Sequence, residues 1–176
     1  MRLTEGPYGI TIAIESIDPD EGTTRRQRES MAVARTIKAL TGKDAAIGHN
    51  SSGAPFLVHD PGLPISISHS RNHVAVAIGG CHAIGIDMEE WRPNLMKVAP
   101  RFLTPEQIDG WSTPELLLKA WTIKEALYKA LSSAARNPAP SLLPLPLPPD
   151  LPEDMEIHHI PDVSGETVTL AVIINS

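Results

Sequence analysis

The first part of the chain shows a strand pattern followed by a helix pattern. Isoleucines alternate with smaller residues at 10–14, which predicts a short strand. Apolar residues then recur at helical spacing through 23–40 and predict a helix, which Thr23 or Thr24 caps and Gly42 ends. The apolar face of this helix carries Met31, Ala34, Ile37 and Leu40.

The middle of the chain is rich in strand patterns. Short apolar runs are separated by the turn sequences Asp60-Pro61-Gly62, Arg71-Asn72 and Gly79-Gly80. These runs cover 54–58, 65–68, 73–78 and 83–89. Because neighbouring side chains on a strand point to opposite faces, we expect the isoleucines of the second run to point inward. Ser66 and Ser68 should then point outward.

Two helices follow, each opened by a threonine and a proline. Thr104-Pro105-Glu106-Gln107 resembles a capping box and starts a short helix. Ser112-Thr113-Pro114-Glu115 starts a longer helix that extends to about residue 135. The buried stripe of the longer helix is expected to consist of Leu116, Ala120, Ile123, Leu127 and Leu131.

The last part of the chain combines a proline-rich segment with two strand patterns. The prolines at 137–152 exclude helix and central strand, so we expect an extended surface loop there. Runs at 155–160 and 167–174 predict a hairpin through Ser164-Gly165. Strands and helices thus do not alternate regularly, and the order predicts the α+β class.

Composition and charge narrow the possible functions. Apolar residues make up 41% and charged residues 20% of the 176, as in ordinary globular proteins. The net charge of -6 argues against nucleic acid as a partner. No apolar run reaches membrane-spanning length, and no secretory signal is visible. The single cysteine, Cys81, follows two glycines and is expected to be a turn residue, and its use fits a reducing, cytoplasmic location.

The run 83–89 carries the first candidate site. Strand alternation places Asp87 and Glu89 on one face, with Gly85 leaving room beside them. The apolar residues Ile84, Ile86 and Met88 share the other face. Carboxylate oxygens are hard ligands that suit Mg²⁺. Taken alone, however, the pattern is better explained by a half-exposed strand with an acidic outer face.

The long helix carries the second candidate site. Trp121, Glu125 and Lys129 are spaced i, i+4, i+8 and line one face. Glu125 and Lys129 could form a surface ion pair worth a few tenths of a kcal/mol. Alternatively, Glu125 is a metal ligand and Lys129 contacts a phosphate.

Further candidates lie at strand and helix ends. His69, next to Arg71, is either a turn residue or a hydrogen-bond donor to a phosphate. Glu106 lies in the first turn of its helix, where the dipole favours an ionised carboxylate that could act as a general base. Cations oppose the positive end of a helix dipole, so the first turn of helix 23–40 forms either a solvated face or an anion site. Its cations are Arg25, Arg26 and Arg28.

Together, these motifs resemble the 4′-phosphopantetheinyl transferase superfamily, which includes the holo-acyl-carrier-protein synthases. One family motif is a Gly-x-Asp-x-Glu strand, matched by Gly85, Asp87 and Glu89. The other is a Trp-Thr-x-Lys-Glu-Ala-x-x-Lys helix, matched by residues 121–129. A Ser-His-Ser segment centred on His69 lies upstream, and the resemblance covers roughly 24–130.

The resemblance implies two similar α+β halves in one chain, arranged as a pseudo-dimer that works as a monomer. The chain looks like a compact version of this fused type, with halves at 1–80 and 81–176. The expected reaction is Mg²⁺-dependent transfer of the 4′-phosphopantetheine group from coenzyme A to a serine of an apo acyl or peptidyl carrier protein. Adenosine 3′,5′-bisphosphate leaves.

The resemblance also implies a role for each candidate residue. Lys129 would contact the phosphates of coenzyme A, His69 and Arg26 its 3′-phosphate, and Glu106 would deprotonate the attacking serine. The carboxylates that would hold Mg²⁺ are Asp87, Glu89 and Glu125.

One segment departs from the family pattern. Ser52-Gly53-Ala54-Pro55 resembles a Gly-Lys-Pro segment, but Ala54 stands where the family has lysine. One cation for the nucleotide phosphates is therefore missing. This leaves an alternative function, a catalytically weak member that binds coenzyme A or a carrier protein. The acidic net charge gives no long-range steering toward an acidic carrier, so we expect docking through an apolar or local patch.

Overall fold

The computed structural model describes residues 1–19, 22–80, 82–134, 141–163 and 165–174. Some predicted features lie outside these residues: the turn role of Cys81, the start of the proline-rich loop at 137–140, and Ser164 of the closing hairpin. The predicted α+β class is confirmed.

The chain before residue 80 forms a four-stranded antiparallel sheet, a two-stranded hairpin and one long helix. The sheet order is β1-β2-β6-β5, and β3 pairs with β4. The strands are β1 (Arg2–Glu5), β2 (Ile10–Ser16), β3 (Ile47–His49), β4 (Pro55–Leu57), β5 (Ile65–His69) and β6 (His73–Gly79). The helix is α1 (Arg25–Thr41), which packs on β2 and β6.

Both predicted ends of α1 are confirmed. Thr24 and Gln27 form a capping box, in which each side chain bonds to the backbone of the other residue. Gly42 ends the helix in the left-handed conformation, at φ 72°, which costs glycine little because it has no Cβ.

The chain after residue 80 forms a three-stranded antiparallel sheet with helices against it. The sheet order is β7-β9-β8, so β9 is central. The strands are β7 (Ala83–Glu89), β8 (Met155–Val163) and β9 (Glu166–Ile173). The helices are α2 (Asn94–Val98), α3 (Pro105–Ile108) and α4 (Pro114–Ser133), of which α4 packs on β7 and β9.

The two large sheets pack face to face over an aliphatic core. Ile12 and Ile14 of β2 share this cluster with Ile84, Ile86 and Met88 of β7. Helix α1 covers the outer face of the first sheet, and α4 covers the outer face of the second. Similarity between the two halves stays a prediction. Among the described residues, no helix has both the length and the apolar character needed to cross a membrane.

Serine side chains connect the edges of the two sheets. The Ile86 amide donates to Ser66 Oγ at 2.9 Å, and the Met88 amide donates to Ser68 Oγ at 3.1 Å. Both serines are buried, so the prediction that they point outward is wrong. Strand alternation does not specify which face of an edge strand meets a second sheet, and here the serine hydroxyls accept hydrogen bonds from the amides of β7.

Gly85 allows α4 to approach β7 very closely. A Cβ at this position would lie 2.0 Å from the Ala126 carbonyl oxygen and 2.5 Å from the Ala130 amide nitrogen. The expectation that Gly85 leaves open room beside Asp87 and Glu89 is therefore wrong, because the backbone of α4 fills this space. The predicted stripe of α4 is buried except at Leu116, which is 36% exposed.

The proline-rich segment forms neither helix nor strand over its described part, as predicted, and most of its residues are exposed or half-buried, but two of its leucines enter the core. Leu145 and Leu147 are buried in the core beneath α4, and Leu142 packs against the same cluster. Its prolines exclude regular structure, as predicted, but alternate leucines supply enough apolar area to hold the segment against the helix.

Candidate functional site

Asp87 is the most buried acidic group of the predicted metal site. Its Oδ1 accepts hydrogen bonds from Ser68 Oγ at 3.0 Å and from Lys129 Nζ at 2.7 Å. Lys129 Nζ also donates to the Ile86 carbonyl at 3.0 Å. The second oxygen, Oδ2, is buried and has no partner among the described residues. Because a buried carboxylate oxygen without a partner is costly, this oxygen is poised to accept a cation or a donor.

Glu89 and Glu125 feel the negative charge of Asp87. Burial, followed by the charge of Asp87, raises the pKa of the Glu89 carboxyl above its ordinary value. Arg92, 2.9 Å from a Glu89 oxygen, opposes this shift. Burial and Asp87 also raise the pKa of Glu125, while Lys129 opposes the shift. Arg92 and Lys129 thus do not fully offset the electrostatic repulsion within the carboxylate cluster, which consists of Asp87, Glu89 and Glu125.

The donor set of this cluster fits a hard divalent cation. Its ligands are carboxylate oxygens, their mutual repulsion favours added positive charge, and Asp87 Oδ2 is free. Within the described part of the chain, however, no three acidic, histidine or cysteine side chains are already arranged as a metal-binding group. Lys129 engages the other Asp87 oxygen, so binding of a cation requires the side chains to adjust.

A cleft of about 530 Å³ lies next to the carboxylate cluster and receives Lys129. It is lined by residues of α1, β3, β4, β5 and α4, and so brings together elements from both sides of residue 80. Its volume is within the range of small-molecule sites. The basic and imidazole side chains that line it are Arg26, His49, His69 and Lys129.

The three arginines of α1 do not form one anion site. Arg25 pairs with Glu29 at 2.6 Å and donates to the Ser70 carbonyl at 3.1 Å. Arg28 donates to the Thr23 carbonyl at 2.6 Å. Only Arg26 lines the cleft. Both interpretations of the helix start are thus partly right, because one arginine faces the cleft and the others serve local contacts.

His69 lies at the cleft, at the end of β5. Its side chain is 53% exposed, and its Nε2 is 3.6 Å from Glu29 Oε2. Glu29 also lines the cleft, where it pairs with Arg25. The histidine is therefore accessible to a ligand and has one acidic neighbour, Glu29.

Glu106 lies apart from the cleft. Its side chain is exposed and does not line the cavity. Its own backbone amide and the Thr104 hydroxyl lower the pKa of its carboxyl, as expected at a helix start. Its role as the base stays a prediction.

The next residue, Gln107, connects α3 to α4. Lys124 is fully buried, and its Nζ donates to Gln107 Oε1 at 2.8 Å and to the Leu143 carbonyl at 3.0 Å. Burial lowers the pKa of Lys124 to about 8. This buried lysine therefore holds both α3 and the proline-rich segment against α4.

The sequence prediction missed His49, because it assigned no element to residues 43–53. Ile47 and His49 alternate around Gly48, and the turn-forming sequence Asn50-Ser51-Ser52-Gly53 follows. That combination signals a short strand and a hairpin. The signal is weak because β3 has three residues, and one of them is glycine.

The sequence model of the 4′-phosphopantetheinyl transferase superfamily matches residues 83–162. Residues of this chain are 34% identical over 93 positions to the 4′-phosphopantetheinyl transferase HetI of Nostoc sp., covering 47% of this chain and 39% of HetI. A 4′-phosphopantetheinyl transferase of Bacillus subtilis is 24% identical over 102 positions, which cover 54% of this chain and 45% of that protein. The chain thus spans less than half the length of these relatives. The matches confirm the resemblance indicated by the two motifs.

Proposed function

We propose that this protein, whose residues 83–162 match the sequence model of the 4′-phosphopantetheinyl transferase superfamily, transfers the 4′-phosphopantetheine group of coenzyme A to a carrier-protein serine. The observation that carries the proposal is the carboxylate cluster at the edge of the cleft. Strand β7 supplies Asp87 and Glu89, and α4 supplies Glu125 together with Lys129. Both family motifs therefore converge on one site, next to a cleft of suitable size.

The carboxylate cluster is the proposed holder of Mg²⁺. Asp87, Glu89 and Glu125 would share the ion, with the free Oδ2 of Asp87 as one ligand atom. When bound, Mg²⁺ would offset the negative charge that grows on the pyrophosphate oxygens during phosphoryl transfer.

The cations of the cleft are proposed to orient coenzyme A. Lys129 is held by Asp87 and the Ile86 carbonyl, so its ammonium group has a fixed position from which to contact the phosphates. His69 and Arg26 line the same cleft and are proposed to bind the 3′-phosphate. Fixed positive charge of this kind stabilises phosphoryl transfer because the substrate carries most of the reacting charge.

The proposed chemical step is an in-line displacement at the β-phosphorus of coenzyme A. The oxygen of the carrier serine forms a bond to this phosphorus, while the phosphorus–oxygen bond to adenosine 3′,5′-bisphosphate breaks. The proton of the serine passes to a base, for which Glu106 is the prediction from family resemblance. Its lowered pKa keeps the carboxylate ionised, which a base requires.

A mass-based transfer assay tests the proposal. The full chain is incubated with coenzyme A, Mg²⁺ and several apo carrier proteins, and the carriers are examined for a phosphopantetheine mass gain. Asp87→Asn and Glu125→Gln should abolish the gain. Glu115→Gln, an exposed carboxylate in the first turn of α4, is the matched control and should retain it. If no carrier gains mass with the unmodified chain, the proposed activity is refuted.

A second function is favoured by one observation, the alanine at position 54. A chain that binds coenzyme A or a carrier protein with little transfer would need fewer phosphate contacts than an efficient enzyme. Calorimetric binding of coenzyme A without mass gain on any carrier would support this function over the first.

A further inference from the structure

Ala54 leaves one wall of the cleft without a charged side chain. The residue is buried, lines the cleft and contributes only a methyl group. The family resemblance places a lysine at this position, in a Gly-Lys-Pro segment. Charge-assisted hydrogen bonds are the strongest contacts that side chains make to phosphate, and Ala54 provides none.

His49 lies directly across the hairpin from this wall. In the β3–β4 register, His49 pairs with Pro55, the residue after Ala54. Ile47 and His49 share the face of β3 that lines the cleft, because strand residues two apart point the same way. Gly48 points to the opposite face, where the Phe56 ring occupies the space that a Cβ would need. The packing of Phe56 on Gly48 therefore fixes the face on which His49 lies.

The turn after His49 is anchored to the rest of the molecule. Asn50 Oδ1 accepts hydrogen bonds from the amides of Ser52 and Ala54, both at 2.9 Å. Asn50 Nδ2 donates to the Ser132 carbonyl of α4 at 3.0 Å. Because α4 also carries Glu125 and Lys129, the hairpin end with His49 is tied to the element that positions the proposed chemistry.

The His49 side chain is available for a ligand. It is exposed, and among the described residues nothing forms a hydrogen bond or ion pair with its imidazole. In contrast, Lys129 pairs with Asp87, and His69 faces Glu29. Arg26 is the other side chain of the cleft that is basic and has no such partner in the described ranges. His49 thus adds a donor on the side of the cleft where Ala54 provides none.

We propose that His49 binds a phosphate group of coenzyme A in place of the lysine that Ala54 replaces. The inference rests on the proposed function, because it assumes that the cleft holds coenzyme A. Its basis is the juxtaposition of His49 on β3 and Ala54, the residue just before β4, at one end of an anchored hairpin. Since the histidine reaches the cleft from the adjacent strand, the departure at position 54 is compensated rather than a sign of lost binding.

Calorimetric titration of the full chain with adenosine 3′,5′-bisphosphate tests this role without requiring turnover. His49→Ala should weaken binding about tenfold, the loss expected for one hydrogen bond to a charged group. His59→Ala removes an exposed histidine that does not line the cleft and should leave binding unchanged. Adding Ala54→Lys to the His49→Ala variant should restore affinity. Thermal unfolding of each variant checks that it is folded.

A second measurement covers the case in which a lysine at buried position 54 disturbs the turn. His49→Lys keeps a hydrogen-bond donor at an exposed position and should bind the nucleotide within about threefold of the unmodified chain. Unchanged affinity in His49→Ala would overturn the inference. Loss of affinity in both His49→Ala and His49→Lys would also overturn it, because a required imidazole is not a replacement for lysine. If the unmodified chain does not bind the nucleotide, the proposed function itself fails.

Discussion

Replacing Gly85 by alanine should force α4 away from β7. The added Cβ would lie 2.0 Å from the Ala126 carbonyl oxygen, whereas ordinary van der Waals contact begins at about 3.4 Å. The helix must therefore retreat by about 1.4 Å, and backbone atoms cannot rotate out of the way as a side chain would. Because Asp87 lies on β7 and Lys129 on α4, this displacement separates the two sides of the proposed site.

The displacement should affect both stability and activity. Overpacking of a core costs about 1–3 kcal/mol, and the clash with backbone places Gly85→Ala at about 3 kcal/mol. For a chain of this size, that loss lowers the melting temperature by about 6–12 °C. A shift of about 1 Å between catalytic groups can reduce the rate about 100-fold, so transfer should fall by this factor in the folded protein.

Urea unfolding and the transfer assay, both performed well below the melting temperature, measure these effects. Gly110→Ala is the matched control, because its Cβ would meet its nearest atom at 3.8 Å, an ordinary contact. Equal stability and activity of Gly85→Ala and Gly110→Ala would refute the close packing of α4 on β7. A variant that loses stability but keeps full turnover would refute only the link between the strand–helix distance and the chemistry.

Three further predictions concern other parts of the site and its supports. Ser68→Ala leaves the buried Met88 amide without an acceptor and should cost about 1–3 kcal/mol in urea unfolding; a loss below about 0.5 kcal/mol would contradict the bridging role of the serine. Leu147→Ala should destabilise by about 2–5 kcal/mol, while the more exposed Leu143→Ala should cost much less, and equal losses would exclude a packed proline-rich segment. Because the pKa of Glu125 is raised, the ionised carboxylate is the unfavourable form in the folded state, so its contribution to stability falls as pH rises above the ordinary value. Without Mg²⁺, the stability of Glu125→Gln relative to the unmodified chain should therefore increase from about pH 5 to about pH 7; a difference that does not change with pH would contradict this sign.

The long, strongly periodic elements could be predicted from the sequence. Helix α1, with its threonine cap and terminal Gly42, and strand β7, with its alternating residues, follow from local rules that tertiary contacts did not override. The strand β1 (Arg2–Glu5) was missed because it is an edge strand with mostly exposed residues and no apolar alternation. Helix α2 (Asn94–Val98) was missed because it is short and has no side-chain cap.

Features that depend on contacts between distant elements could not be predicted. Ser66 and Ser68 are buried because a second sheet happens to meet their strand, and a single strand pattern does not reveal this. The role of Gly85 depends on how closely α4 packs, which is also a tertiary property. The local sequence around Leu145 and Leu147 resembles that of an exposed loop. These leucines are buried because they pack against the apolar residues of α4, a contact that the local sequence does not reveal.

Local strand patterns and family resemblance each predict part of the candidate site. Strand alternation placed Asp87 and Glu89 together, and family resemblance added Glu125, which the structure brings within electrostatic contact of both. His49 was not predicted because the cleft wall on which it lies is formed by a hairpin with three-residue strands. Short elements of this kind carry too few periodic positions to be recognised.

The pairing of β7 with β9 has a consequence for the order in which the site assembles. The register pairs Ala83 with Ile173 and Glu89 with Thr167. Strand β7 therefore cannot pair until β9, which is synthesised much later, has been made. Helix α4 needs only local contacts and can form earlier, but closing the long loop to β9 carries an entropic cost and slows folding. Mutations in β9 should therefore delay the appearance of the proposed activity in newly made chains, although this strand contributes no residue to the cleft.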